Sequence, residues 1–144
     1  MLKLDRVEFT CGRSLYRDFI LEAFETTAKV FVKILLDGQS TVYVQLDTAA
    51  PWSVLDPRVT ATLGVLDSDG DRIFLDTRLG RKEGTLVRIP ITFLADDGEP
   101  FNTEGTFFVC LDWPSGRTFL GYSGLLASMR FALDPRTNHF YFGP

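Results

Sequence analysis

Apolar and polar positions alternate along much of the chain, most cleanly over residues 29–47. In Lys29-Val30-Phe31-Val32-Lys33-Ile34-Leu35-Leu36, the residues Val30, Val32, Ile34 and Leu36 fall on one face of a strand. Asp37-Gly38-Gln39-Ser40 supplies a turn with a glycine able to take positive φ. Residues 41–47 alternate again, so the two runs predict a hairpin. Residues 72–77 and 85–94 read as two further strands. Arg78-Leu79-Gly80-Arg81-Lys82-Glu83-Gly84 lies between them as a polar tip with two glycines. Asp96-Asp97-Gly98 turns the chain, and the apolar run 106–111 predicts a buried strand. Residues 131–133 and 140–142 pair over the turn 134–138. Helical signals are short. Pro57 opens and Gly64 ends one candidate, and residues 124–130 form the stronger one. Ser14 to Phe24 fits a helix turn or a strand, and periodicity does not decide. Short strands with one or two short helices predict a mostly-β fold, a small closed β-barrel.

Composition narrows the class. The chain has 144 residues, enough for one domain whose core needs no disulfide or metal. Hydrophobic residues are 45% and charged residues 24%, which excludes disorder of the whole chain. The 13 Phe residues strengthen the β reading. The net charge is −4 and no Lys/Arg run exceeds Arg81-Lys82, so no nucleic-acid partner is expected. No apolar stretch approaches the length of a membrane span, so no membrane partner is expected either. The charged start Met1-Leu2-Lys3-Leu4-Asp5-Arg6 argues against a secretory leader. A cytoplasmic location is the expectation, with Cys11 and Cys110 as free thiols.

His139 is the single histidine, and no G-x-S-x-G elbow accompanies it, which disfavours a serine triad. A Cys–His pair would need Cys11 or Cys110, and nothing local activates either thiol. One His and two distant Cys make a poor zinc set. Asp67-Ser68-Asp69-Gly70-Asp71 has the composition of a calcium loop, but its glycine falls too early. Arg78 stands where the closing Glu belongs, so a solvated acidic turn is the simpler reading. Neither a metal nor a cofactor is expected. Hydrolytic chemistry would rest on carboxylates.

Two segments carry a more specific pattern. Val44-Gln45-Leu46-Asp47-Thr48-Ala49-Ala50-Pro51-Trp52-Ser53-Val54-Leu55 is a strand ending in Asp-Thr, then small residues, then Ser-Val-Leu. Phe119-Leu120-Gly121-Tyr122-Ser123-Gly124-Leu125-Leu126 is an apolar-apolar-Gly turn, followed by Arg130-Phe131-Ala132-Leu133-Asp134. Together these resemble the retropepsin-like aspartic proteases, the single-domain relatives of pepsin and the retroviral proteases. The resemblance covers about residues 28 to 143. It divides the chain into an N-terminal extension, 1–25, and a retropepsin-like domain, 26–144.

The resemblance implies a closed barrel of retropepsin type and a homodimer that cuts a peptide or protein substrate. Each protomer would supply one catalytic Asp47. Two carboxylates at hydrogen-bond distance cannot both ionise, so they share a proton. One then activates water while the other protonates the leaving amine. Thr48 would lock the two loops across the dimer axis, with Ala49 and Ala50 shaping the catalytic loop. Trp52 would wall the groove, and Leu120-Gly121 would form the structural turn. Leu79, Gly80 and Arg81 would be the flap that closes over substrate. The chain departs from the family pattern at Ala49, where the family has Gly. It departs again at Pro51 and Tyr122, where a carboxylate and an Arg are common. A peptide-binding module with the same groove and no chemistry is the alternative, and Ala49 is the feature that raises it. An unrelated small barrel binding a small ligand is the third reading.

Overall fold

The computed structural model describes residues 1–18, 29–66, 69–114 and 116–144. In chain order the strands are β1 (Lys3–Leu4), β2 (Val7–Glu8), β3 (Gly12–Leu15), β4 (Phe31–Leu36), β5 (Ser40–Asp47) and β6 (Ser53–Val54). The helix α1 (Pro57–Leu63) comes next. Then follow β7 (Asp71–Thr77), β8 (Gly80–Phe93), β9 (Asp97–Gly98), β10 (Phe101–Val109), β11 (Phe119–Gly121), β12 (Arg130–Asp134) and β13 (His139–Gly143). The hairpin expected over 29–47 is β4–β5, with Ile34 opposite Val42. Asp37 and Gly38 both have positive φ, as tight hairpin turns require. The C-terminal hairpin is β12–β13.

Among the described residues, six strands close a ring: β10, β6, β11, β5, β4, β8, then β10 again through an antiparallel ladder from Phe101↔Phe93 to Val109↔Thr85. β7 pairs with the outer part of β8. A four-stranded sheet, β12-β13-β3-β9, covers the ring. The inward face of β4, Val32, Ile34 and Leu36, is fully buried, with Val44, Ile89, Ile91, Phe107 and Leu120 around it. Phe93 joins ring to sheet, its ring centroid 5.8 Å from Phe140 and 5.5 Å from Phe142. Each fully buried Phe contributes about 1.5–3 kcal/mol by its removal from water. This is where the aromatic excess of the composition is used.

Several expectations need correction. The helix expected over 124–130 is a single 3-10 turn, Leu126–Ser128. The Gly124 carbonyl, which an α-helix would bond internally, accepts instead from Thr106 N–H at 2.9 Å, and Gly124 N–H donates to the Pro51 carbonyl at 3.0 Å. The polar tip expected over 78–84 shrinks to Arg78-Leu79, because β7 and β8 stay paired out to Thr77↔Gly80. The strand expected over 106–111 runs from Phe101 to Val109, and Cys110-Leu111 leave it. Ser53-Val54 of the first motif segment forms the short strand β6. Of Ser14–Phe24, Ser14 and Leu15 are strand, and 19–24 lie outside the described residues, as do Asp67, Ser68 and Ser115. No helix among the described residues is long and apolar enough to cross a membrane.

Candidate active site

Asp47 is the last residue of β5, and β11 lies parallel beside it. Phe119 pairs with Gln45, Leu120 with Leu46 and Gly121 with Asp47. Strand alternation sends Leu120 into the core, where it is fully buried, and leaves Gly121 on the Asp47 side. The Asp47 carboxylate accepts the Ala49 N–H at 3.0 Å, and its own carbonyl accepts from Ala50 N–H at 3.2 Å. This Asx turn fixes the carboxylate at a strand end. Asp47 is half-buried, and Thr48 and Ala49 are exposed. Ala49 is not among the residues with positive φ, so its methyl meets no backbone strain.

The two motif segments are brought together. Tyr122 N–H donates to the Ala50 carbonyl at 2.7 Å, and Gly124 N–H to that of Pro51. Gly121 N–H donates to the buried Ser53 hydroxyl at 3.0 Å. A Cβ on Gly121 would overlap the Trp52 carbonyl, so only glycine permits this approach. Pro51 and Tyr122 themselves meet the opposite segment through backbone groups, and the Ser53 hydroxyl adds a side-chain link. Ser53 is the site-supporting residue the sequence reading passed over. Its place in the Ser-Val-Leu run was the available signal.

The β7–β8 hairpin is joined to this region through its inner face. Ile73, Leu75 and Leu86 pack on a second apolar cluster of Val54, Phe108, Cys110 and Trp113, and Trp52 and Phe119 pack on the same cluster. Trp113 and Phe119 meet edge to face at 6.1 Å. Lys82, opposite Leu75, reaches Asp112 at 3.1 Å. The Cys110 thiol donates to the other Asp112 oxygen at 2.8 Å. That thiol is pushed up to about 11, by burial first and then by Asp112. The Cys110 and Lys82 hydrogen bonds hold the Asp112 carboxyl below its ordinary value. Burial likewise raises Cys11, so both thiols stay protonated near neutrality. Leu79, Gly80 and Arg81 are exposed at the hairpin end. Their described partners are internal to it, with Arg81 stacked over Phe74 at 4.4 Å and Thr77 bonding Leu79 and Gly80.

A second carboxylate that sequence reasoning missed is Asp56. It is 3% exposed and caps α1, accepting from Arg58 N–H at 2.8 Å. It also binds the Arg58 guanidinium at 2.7 Å and the Gly116 N–H. Its N–H donates to Thr118. Burial works to raise its pKa, but these hydrogen bonds outweigh burial and hold the carboxyl below its ordinary value. Asp immediately before Pro57 was the capping signal. Asp56 is fully engaged in structure, which leaves Asp47 as the accessible carboxylate of the motif. Among the described residues no group of three or more His, Cys, Asp and Glu is placed to hold a metal.

No family model matches the chain, and no curated protein matches it. Among solved structures it is similar to a retropepsin-like aspartic protease from Rickettsia conorii, at 16% identity and a TM-score of 0.61. That match covers 90% of this chain and 98% of the other. It is also similar to EIAV protease complexed with the inhibitor HBY-793, at 20% identity and a TM-score of 0.45, over 72% of this chain and 91% of the other.

Proposed function

The chain has the retropepsin-like fold, and from that premise we propose that it is an aspartic endopeptidase acting as a homodimer. The observation that carries this reading is the placement of Asp47. It ends β5 beside Gly121, its carboxylate is set by the Ala49 N–H, and Thr48 and Ala49 next to it are exposed. One chain supplies one such carboxylate, so the dyad needs a second copy, with the site on the two-fold axis. Thr48, exposed in the single chain, is available to bond across that axis.

In the proposed reaction the ionised carboxylate of the dyad takes a proton from water, and the water oxygen bonds to the peptide carbonyl carbon. The other carboxyl then gives its proton to the leaving nitrogen, the C–N bond breaks, and acid and amine leave. The hairpin with Leu79, Gly80 and Arg81 would close over the peptide, and Trp52 would wall the groove. No metal or cofactor takes part. Incubation with a peptide library at mildly acidic and neutral pH, beside Asp47→Asn, tests the reading. Cleavage is expected from the wild type. The variant should fold and dimerise but lose at least roughly a hundredfold in rate, since Asn cannot accept the proton. Undiminished turnover in the variant would place the chemistry elsewhere.

A further inference from the structure

The longest run of basic residues in the sequence is two, yet the fold collects cations from separated segments. A cleft of about 600 Å³ lies where the β4–β5 hairpin meets the β3 and β12–β13 ends. It is lined by Arg17, Lys33 and Arg136, with Tyr16, Tyr43 and Asn138 between them. Lys33 stands directly opposite Tyr43 in the β4–β5 ladder, and the Arg17 guanidinium is stacked over the Tyr43 ring at 4.3 Å. Arg136 sits on the β12–β13 turn, with Asp134 nearby. Asp96 is the one carboxylate in the lining, and it is occupied by the Leu15 N–H at 2.7 Å. The ion pairs found among the described residues use none of Arg17, Lys33 and Arg136. In a chain of net charge −4, the lining sets three cations against the one Asp96 carboxylate. None of the lining residues belongs to the Asp47 site.

We propose that this cleft binds an acidic peptide segment of a partner or substrate protein, independently of any hydrolysis. Arg17 and Arg136 are exposed, so a single carboxylate meeting either one gains little in water. A segment with several carboxylates engages the three cations together, and each contact after the first is intramolecular. The stacked Arg17 has already given up part of its side-chain freedom, which lowers the cost of binding. The Asn138 side-chain amide in the lining offers hydrogen bonds to a peptide backbone.

The test uses the intact chain and a fluorescent deca-glutamate peptide as probe. Binding is expected at low salt and should weaken as salt rises. Lys33→Gln combined with Arg136→Gln should weaken it by roughly tenfold or more. Arg88→Gln removes one positive charge outside the cleft and should leave binding within about twofold. Amide chemical shifts of the wild type on titration should move at the cleft lining, which keeps the test decisive if the double variant folds poorly. The proposal fails if the peptide does not bind, if Arg88→Gln weakens binding as much as the double change, or if the shifts fall elsewhere. It fails equally if inorganic phosphate displaces the peptide at comparable concentration, or if an oligo-uridine of equal length binds as tightly.

Discussion

At Ala49 one methyl separates this chain from the family motif it resembles. That methyl is exposed and its backbone is unstrained, so nothing in the single chain requires glycine there. Ala49→Gly is expected to maintain or raise kcat/KM on small peptides, because in the proposed dimer it would widen the groove on both protomers. It should lower stability by about 0.4–1 kcal/mol through the added freedom of the unfolded chain. A side-by-side assay and urea melt check both. A large loss of activity would show that the methyl is needed. Asp56 gives a second residue-scale prediction. Its folded pKa is depressed, so its contribution is complete above the unfolded value of about 3.9 and is lost as pH falls through the folded one. Asp56→Ala should therefore cost roughly 1–3 kcal/mol at neutral pH, and the gap from wild type should narrow by about pH 3. Urea melts at the two pH values measure it, and a gap unchanged by acid would contradict the assignment.

Among the elements, the β7–β8 hairpin has the clearest division of labour. At Thr85 and Leu86, β8 lies between β7 and β10, but from Gly84 to Gly80 only β7 accompanies it. Gly84 sits against the Val109 carbonyl and the Phe108 ring, where a Cβ would not fit. The sequence reading took this glycine for part of a tip. A glycine needed for close approach looks the same in sequence as one needed for a turn. Lys82 and Asp112 tie the outer hairpin to the body. Lys82→Met should speed amide exchange over residues 73–84 by a few-fold, with a global cost under about 1 kcal/mol because Asp112 is exposed. Exchange unchanged over these residues would mean that the apolar face alone holds the hairpin. The β4–β5 hairpin was legible because its alternation matches its one buried face. α1 was legible because Pro57 and Gly64 bound it, and Gly64 does adopt a left-handed C-cap. The 124–130 segment was misread because its local propensity is overridden by Pro51 and Thr106, which the sequence alone does not place beside it.

At the scale of the whole molecule, the single Asp-Thr-x-Ala motif, Asp47 to Ala50, predicts a dimer in solution. Sedimentation at micromolar concentration should show two chains, and a strictly monomeric protein that still cleaves peptides would rule out the shared dyad. The closed ring was expected from the sequence but the order of its strands was not, because the β8–β10 and β5–β11 registers depend on partners far apart in the chain. Asp47 and Gly121 are neighbours in space but 121 − 47 = 74 residues apart. That separation has a consequence in time during synthesis. At about 5–20 residues per second, a ribosome adds the β11 partner roughly 4–15 s after Asp47. Throughout that interval Asp47 lacks its β11 neighbour, and its loop lacks the Tyr122 and Gly124 bonds. A nascent chain stalled before Phe119 should therefore fail to pull down a full-length copy, whereas one stalled on a flexible linker appended after Pro144 should succeed. The site is withheld from the growing chain by the order in which its strands are made.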